Sequence, residues 1–179
     1  NLWDRRFRQR LSLVSTRITP SVFVVIATAA LATGKSFQEA QYLADAAWPK
    51  LAELRPNVLN LYDSNNAAVF VAQGEADIGG IEYSKYVYPY TLQGASVDMC
   101  YPREGAFAGV NCQILVKGGP NQELGIEFMN RMLDPSVQQP LAEFAIAAPP
   151  IDGLNFTGNA ARLLAYPLTR MDELRLFPG

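Results

Sequence analysis

The stretch TPSVFVVIATAALATG, Thr19 to Gly34, limits what this chain can fold into more than any other. Its apolar run, VFVVIATAALA from Val22 to Ala32, has eleven residues, and a membrane span needs about twenty. It therefore reads as a buried helix. Thr19 before Pro20 is an N-cap followed by proline at the first helical position, and Gly34 stops the helix. Because the helix is apolar nearly all round, it needs cover on most of its faces.

Strands and helices alternate around it. Leu11 to Ser15 reads as a short strand. Ser36-Phe37-Gln38-Glu39 is a capping-box pattern, and Phe37, Ala40, Ala44, Ala47, Trp48, Leu51 and Leu54 follow at steps of three or four. That spacing predicts an amphipathic helix, kinked or split by Pro49 and ended by Pro56. VLNLYDS (58–64) reads as a strand, NAAVFVAQG (66–74) as a short helix, and ADIGGIEY (76–83) as a strand whose Gly79 and Gly80 permit close backbone approach. After the tyrosine-rich SKYVYPYTLQG come two further strand candidates, ASVDMCYP (95–102) and GVNCQILVKG (109–118). A helix over about 121–133 follows, and Asp134-Pro135 opens another by the same cap-plus-proline logic. The tail beyond Pro149 is weakly patterned. The alternation is the signature of an α/β fold with helices on the faces of a sheet.

Composition narrows the function classes. At 179 residues the chain suffices for one substantial core or two small lobes. A formal charge of −2 with no basic stripe argues against a nucleic-acid partner. Histidine is absent, which removes the commonest general base, the Ser-His and Cys-His nucleophile pairs and most transition-metal sites. No enzyme activity, cofactor or metal is expected. Glu75 and Asp77 form a conceivable catalytic pair, but GEAD supplies no nucleophile beside it. Cys100 and Cys112 are compatible with a disulfide, two free thiols or unrelated positions.

Five stretches occur together in a recognisable order: NLWDRRFRQRLSLV, LAELRPNVLNLYDS, VAQGEADIGGIEYS, YPREGAF and LVKGGPNQELGIEFMNRMLDPSVQQPLAEF. In this the chain resembles the solute-binding proteins of bacterial ABC importers, of the type that binds spermidine and putrescine. The resemblance implies a type 2 periplasmic-binding-protein-like α/β fold, with a mixed sheet flanked by helices in one lobe and part of a second lobe. It also implies closure on a small solute and delivery to a membrane permease in the periplasm. Residues 1–100 would form the ligand-binding lobe, and 101–179 the hinge crossing and the C-terminal part of the other lobe. Family members carry further chain on both sides of the matching segment, so a piece of a longer protein is expected.

Open α/β sheets bind ligands beyond the carboxyl ends of their strands. Thr19 and Ser21, at a helix start, suit an anion or oxygen-rich group as well as plain capping. Glu82 and Tyr83 end the ADIGGIEY stretch. The resemblance places them where polyamine binders put an aromatic residue against the ligand, so a carboxylate here could pair with an ammonium and Tyr83 could add ring contact. Asn111 falls where those binders have an aspartate. Its amide donates and accepts without charge, and this favours a smaller or zwitterionic amine as much as a polyamine. On a strand, Cys112 would face the opposite side. Tyr83, Tyr86, Tyr88 and Tyr90 raise an iron(III)-binding alternative within the same fold, and an effector-binding or interaction domain of similar fold is the other.

Overall fold

Leu11–Val14 (β1) is buried at every residue, because it lies between two parallel neighbours, Val58–Tyr62 (β2) and Ile78–Gly79 (β3). A strand paired on both edges and covered on both faces reads as a continuous apolar run. The exception, Ser12, is fully buried and donates its hydroxyl to the Asn60 side-chain oxygen at 2.6 Å, directly across the β1–β2 register. The computed structural model describes residues 1–63, 66–102, 105–109, 111–166 and 176–178. These fall into two units, Asn1–Met99 and Cys100–Gly179.

In the first unit the apolar run forms Pro20–Thr33 (α1), the extent expected, with Gly34 in the left-handed region donating its amide to Ala30. Ala29 and Ala30 pack with Ala40, Ala47, Phe37 and Leu51, while Val24, nearer the helix start, packs with Val14, Tyr62 and Phe70. Val22 and Leu31 remain about half exposed. The Ser36 capping box forms in full: Glu39 donates its amide to the Ser36 hydroxyl, and its carboxylate accepts from the Ser36 amide.

The amphipathic helix expected after it is split, as the reading of Pro49 allowed, though the break lies upstream of the proline. Phe37–Ala40 (α2) is one turn, a 3-10 turn follows at Ala44–Ala46, and Ala47–Leu54 (α3) carries the rest. Proline clashes with the carbonyl four residues back, at Asp45, so a helix containing Pro49 cannot have run through that point. Restarting at Ala47 puts Pro49 in the first turn, where no intrahelical N–H is needed.

The close approach expected of the glycine pair is present. A Cβ on Gly79 would meet the Ala67 Cβ at 3.0 Å, at the start of Ala67–Ala72 (α4). One on Gly80 would meet the Ser12 carbonyl oxygen at 3.2 Å and the Leu13 Cα at 3.3 Å. The Gly80 amide bonds that same Ser12 oxygen, after which the chain leaves the sheet. β3 is therefore two residues long, where the reading of ADIGGIEY had eight. The tyrosine-rich segment becomes Ser84–Leu92 (α5).

The other end of the sheet is tied by Arg10. Its guanidinium donates to the Asp77 carboxylate at 2.6 and 3.1 Å and to the Glu75 carbonyl, while the Asp77 amide donates to the Arg10 carbonyl. The ion pair holds the Asp77 carboxyl below the usual carboxylate range. This geometry makes Asp77 a structural clasp between the approach to β1 and the turn before β3.

In the second unit, Ala106–Ala108 (β4) pairs in parallel with Leu176–Pro178 (β5). Gln122–Met132 (α6), Pro135–Ala145 (α7) and Gly158–Leu163 (α8) are the helices. Asp134 caps α7 as expected, accepting from the Ser136 amide and hydroxyl. Neither ASVDMCYP nor GVNCQILVKG forms a strand among the described residues. Val97 instead packs beside Ala68 and Val87, and residues 111–118 are exposed throughout. Ser64 of the VLNLYDS reading, Arg103 and Glu104 of the YPREGAF turn, and Val110 lie outside the described residues. Cys100 and Cys112 are free thiols, both exposed.

Gly80→Ala tests the close approach: two backbone atoms must yield to the added methyl. Urea unfolding should show a loss of about 1–3 kcal/mol; an unchanged midpoint would mean that β1 and the segment after β3 are not held in this contact.

Candidate functional site

Because β1, β2 and β3 are parallel, their carboxyl ends fall on one side of the sheet, where Ser15, Asp63 and residues 80–83 leave it. Ser15 donates its amide to the Tyr62 carbonyl, and Arg17 pairs with Asp63 at 2.9 Å. Tyr62, only 3% exposed, donates its hydroxyl to the Ile81 carbonyl at 2.9 Å, which fixes the turn leading to Glu82. Burial, and then the charge of Glu82, push the Tyr62 hydroxyl far above its ordinary pKa, so it stays a neutral donor committed to that carbonyl.

Glu82 is the unusual group. One carboxylate oxygen accepts from the Tyr83 amide at 2.9 Å; the other is buried with no hydrogen-bond partner. Burial pushes its carboxyl above the usual range, and the amides of Tyr83 and Ala67 oppose that only in part. The contact with Ala67 brings in its neighbour Asn66, whose side-chain oxygen is also buried and unpartnered. Asn66 precedes α4 but makes no side-chain cap. Two buried acceptor atoms, Glu82 Oε2 and Asn66 Oδ1, are thus left without a geometrically satisfied hydrogen bond around the start of α4, although the Tyr83 and Ala67 amides act on the Glu82 carboxylate. A group left in that state costs about 1–3 kcal/mol, and such groups mark sites that another molecule completes.

Tyr83 stands half-buried just before α5, its ring meeting that of Tyr86 edge to face at 6.2 Å. The Lys85 ammonium lies 5.0 Å from the Tyr86 ring centre and 5.6 Å from that of Tyr83. Tyr86, Tyr88 and Tyr90 are two residues apart on a helix and so point about 200° from one to the next. Tyr88 is buried and Tyr90 is 36% exposed. Tyr86 and Tyr90, four apart, thus share a side with Tyr83 next to Tyr86, while Tyr88 is turned away and buried, so the four tyrosines do not form one cluster.

Thr19 does not cap α1. Its backbone is helical and its side chain makes no cap bond, because the chain is already turning: the Ser21 amide donates to the Ile18 carbonyl and the Val22 amide to that of Thr19. The free amides expected there for an anion are taken. Thr19 is exposed and Ser21 is buried. Asn111 and Cys112 are exposed on a segment without strand geometry, so the opposite-facing arrangement expected of them does not arise. A wide hollow along Gly119–Leu124 is lined by six consecutive residues and brings no distant polar groups together.

Of the expected residues, the structure brings Glu82 and Tyr83 together and adds Tyr62, Asn66 and Lys85. Asn66 is hidden in sequence because asparagine before a helix reads as a cap. Lys85 is hidden because one lysine among tyrosines reads as a solvated charge.

A search of curated proteins returns no match. Among solved structures, the chain superposes on a crystal structure of an ABC transporter from Clostridium perfringens with a TM-score of 0.73 at 20% identity, covering 98% of this chain and 54% of that one. The chain thus spans little more than half of that neighbour's length, and the likeness is one of fold. The family model for bacterial extracellular solute-binding protein matches residues 15–157, which begins just after β1 and takes in β2 and β3. On a match over so much of its length, the chain belongs to the bacterial extracellular solute-binding protein family.

Proposed function

We propose that this chain belongs to the substrate-binding component of an ABC transporter, which captures a small polar amine-containing solute, polyamine-like or amino-acid-like. In the whole protein the solute would be taken up in the periplasm by lobe closure and passed to a membrane permease, with no chemistry performed on it. The observation that carries this is the pair of buried acceptor atoms, Glu82 Oε2 and Asn66 Oδ1, that have no hydrogen-bond partner. An ammonium brings three donors and a positive charge, and so completes both while neutralising a carboxylate that burial disfavours. Tyr83 offers ring surface beside it. Thr19, Ser21 and Asn111 remain proposed contacts. Asn111 contributes a donor and an acceptor, and Thr19 and Ser21 contribute hydroxyls.

Thermal-shift screening of the chain against polyamines, amino acids and quaternary amines identifies the ligand, since a binder raises the unfolding midpoint by mass action. The cationic ligand that stabilises the native chain should give no shift with Glu82→Gln. An equal shift in the variant would remove Glu82 from the site.

The same substitution should act oppositely on the empty protein. Because the folded pKa of Glu82 is raised above the ordinary 4.5, the native state holds a proton that the unfolded chain releases. Its contribution is favourable at low pH and is lost as pH rises through the folded value, so at pH 7 the charge is a net cost. Ligand-free Glu82→Gln should therefore unfold at a higher temperature than the native chain at neutral pH, with the gap closing below about pH 4. A lower midpoint for the variant at pH 7 would contradict a destabilising Glu82.

A further inference from the structure

Lys85 lies in the first turn of α5, the end of a helix whose dipole disfavours a cation. Its ammonium rests against the rings of Tyr83 and Tyr86 instead of a carboxylate. Among the described residues neither Lys85 nor Glu82 enters an ion pair, although they stand three positions apart. Residues 82–85 thus carry an ammonium without an ion-pair partner and a carboxylate whose buried oxygen has no hydrogen-bond partner, while the ammonium lies against tyrosine rings. A solute bearing both charges would satisfy both.

We infer that Lys85 is a specificity-determining residue: it takes the carboxylate of an aminocarboxylate solute whose ammonium sits on Glu82 and Asn66. This rests on the amine site proposed above and narrows it. A diamine satisfies Glu82 with one end but brings its second cation towards Lys85, and that repulsion selects against it. A simple amine gains the Glu82 contact alone. Arginine at position 85 keeps the charge and the ring contact, whereas methionine keeps only the length and the apolar stem.

The test is calorimetric titration of the full chain with a series of ω-amino acids of increasing chain length, each compared with the diamine of equal length. The native chain should bind its best amino acid about tenfold or more tightly than the matching diamine, the difference of one charge-assisted contact. Lys85→Met should erase that preference by weakening the amino acid, and Lys85→Arg should retain most of it. Equal amino-acid affinity in Lys85→Met, or a native preference for the diamine, would overturn the role of Lys85 and leave the amine site standing. Failure of every probe to bind, or binding that survives Glu82→Gln, would overturn the amine site as well. A native-like unfolding midpoint for Lys85→Met assigns the loss to recognition.

Discussion

The first unit depends on the double-sided hydrogen bonding of a four-residue strand that is buried on every face. β1 gives one edge to β2 and the other to β3, and it has no room for an unpaired polar atom. Ser12 is tolerated only because Asn60 stands opposite it in register. The remaining architecture follows from covering this strand. α1 needs apolar contact around most of its circumference. The approach after β3 favours glycine, because the backbone of Ser12 and Leu13 already lies within 3.3 Å of where a Cβ would sit and would have to give way. Arg10 closes the far end by clasping Asp77.

Parallel strands also deliver their carboxyl ends to one side, and there the chain gives up satisfaction for availability. Tyr62 could have served Glu82 as a donor, yet its hydroxyl is committed to Ile81. Asn66 could have capped α4 and does not. Lys85 could have paired with Glu82 and is held by tyrosine rings. Each of these groups passes over a stabilising internal partner. Among the described residues other buried polar side chains, such as Ser12 and Asn57, are paired, and the unpaired atoms of Glu82 and Asn66 are what support the proposal of a binding surface here.

How far local patterns could be read depended on how local the interaction was. The Ser36 capping box and the Asp134 cap are complete within a few residues and formed as expected. Thr19-Pro20 carries the same motif, but preceding turns at Ile18 and Thr19 had already taken the amides. Pro49 had its effect four residues upstream of where a kink was expected, because its clash is with an earlier carbonyl. GVNCQILVKG has the composition of a strand and remains exposed, since composition cannot supply the neighbouring backbone that makes a strand. The site residues followed the same rule. Glu82 and Tyr83 entered as candidates through the resemblance and their place after a strand, whereas Asn66 and Lys85 drew attention only through what they do not bond.

By itself the sequence determined the α/β alternation, the extent of the apolar helix, the glycine pair that lets backbone meet backbone, and the order of motifs that marks a solute-binding protein. These are set by periodicity, backbone permissiveness and side-chain chemistry within short spans. Only the tertiary structure decided that β1 lies in the middle, that β3 is two residues long, that Asp77 is a clasp, and that Asn66 and Glu82 keep buried acceptors open together. Those outcomes depend on which distant groups compete for the same donors, and no local pattern records the result of that competition.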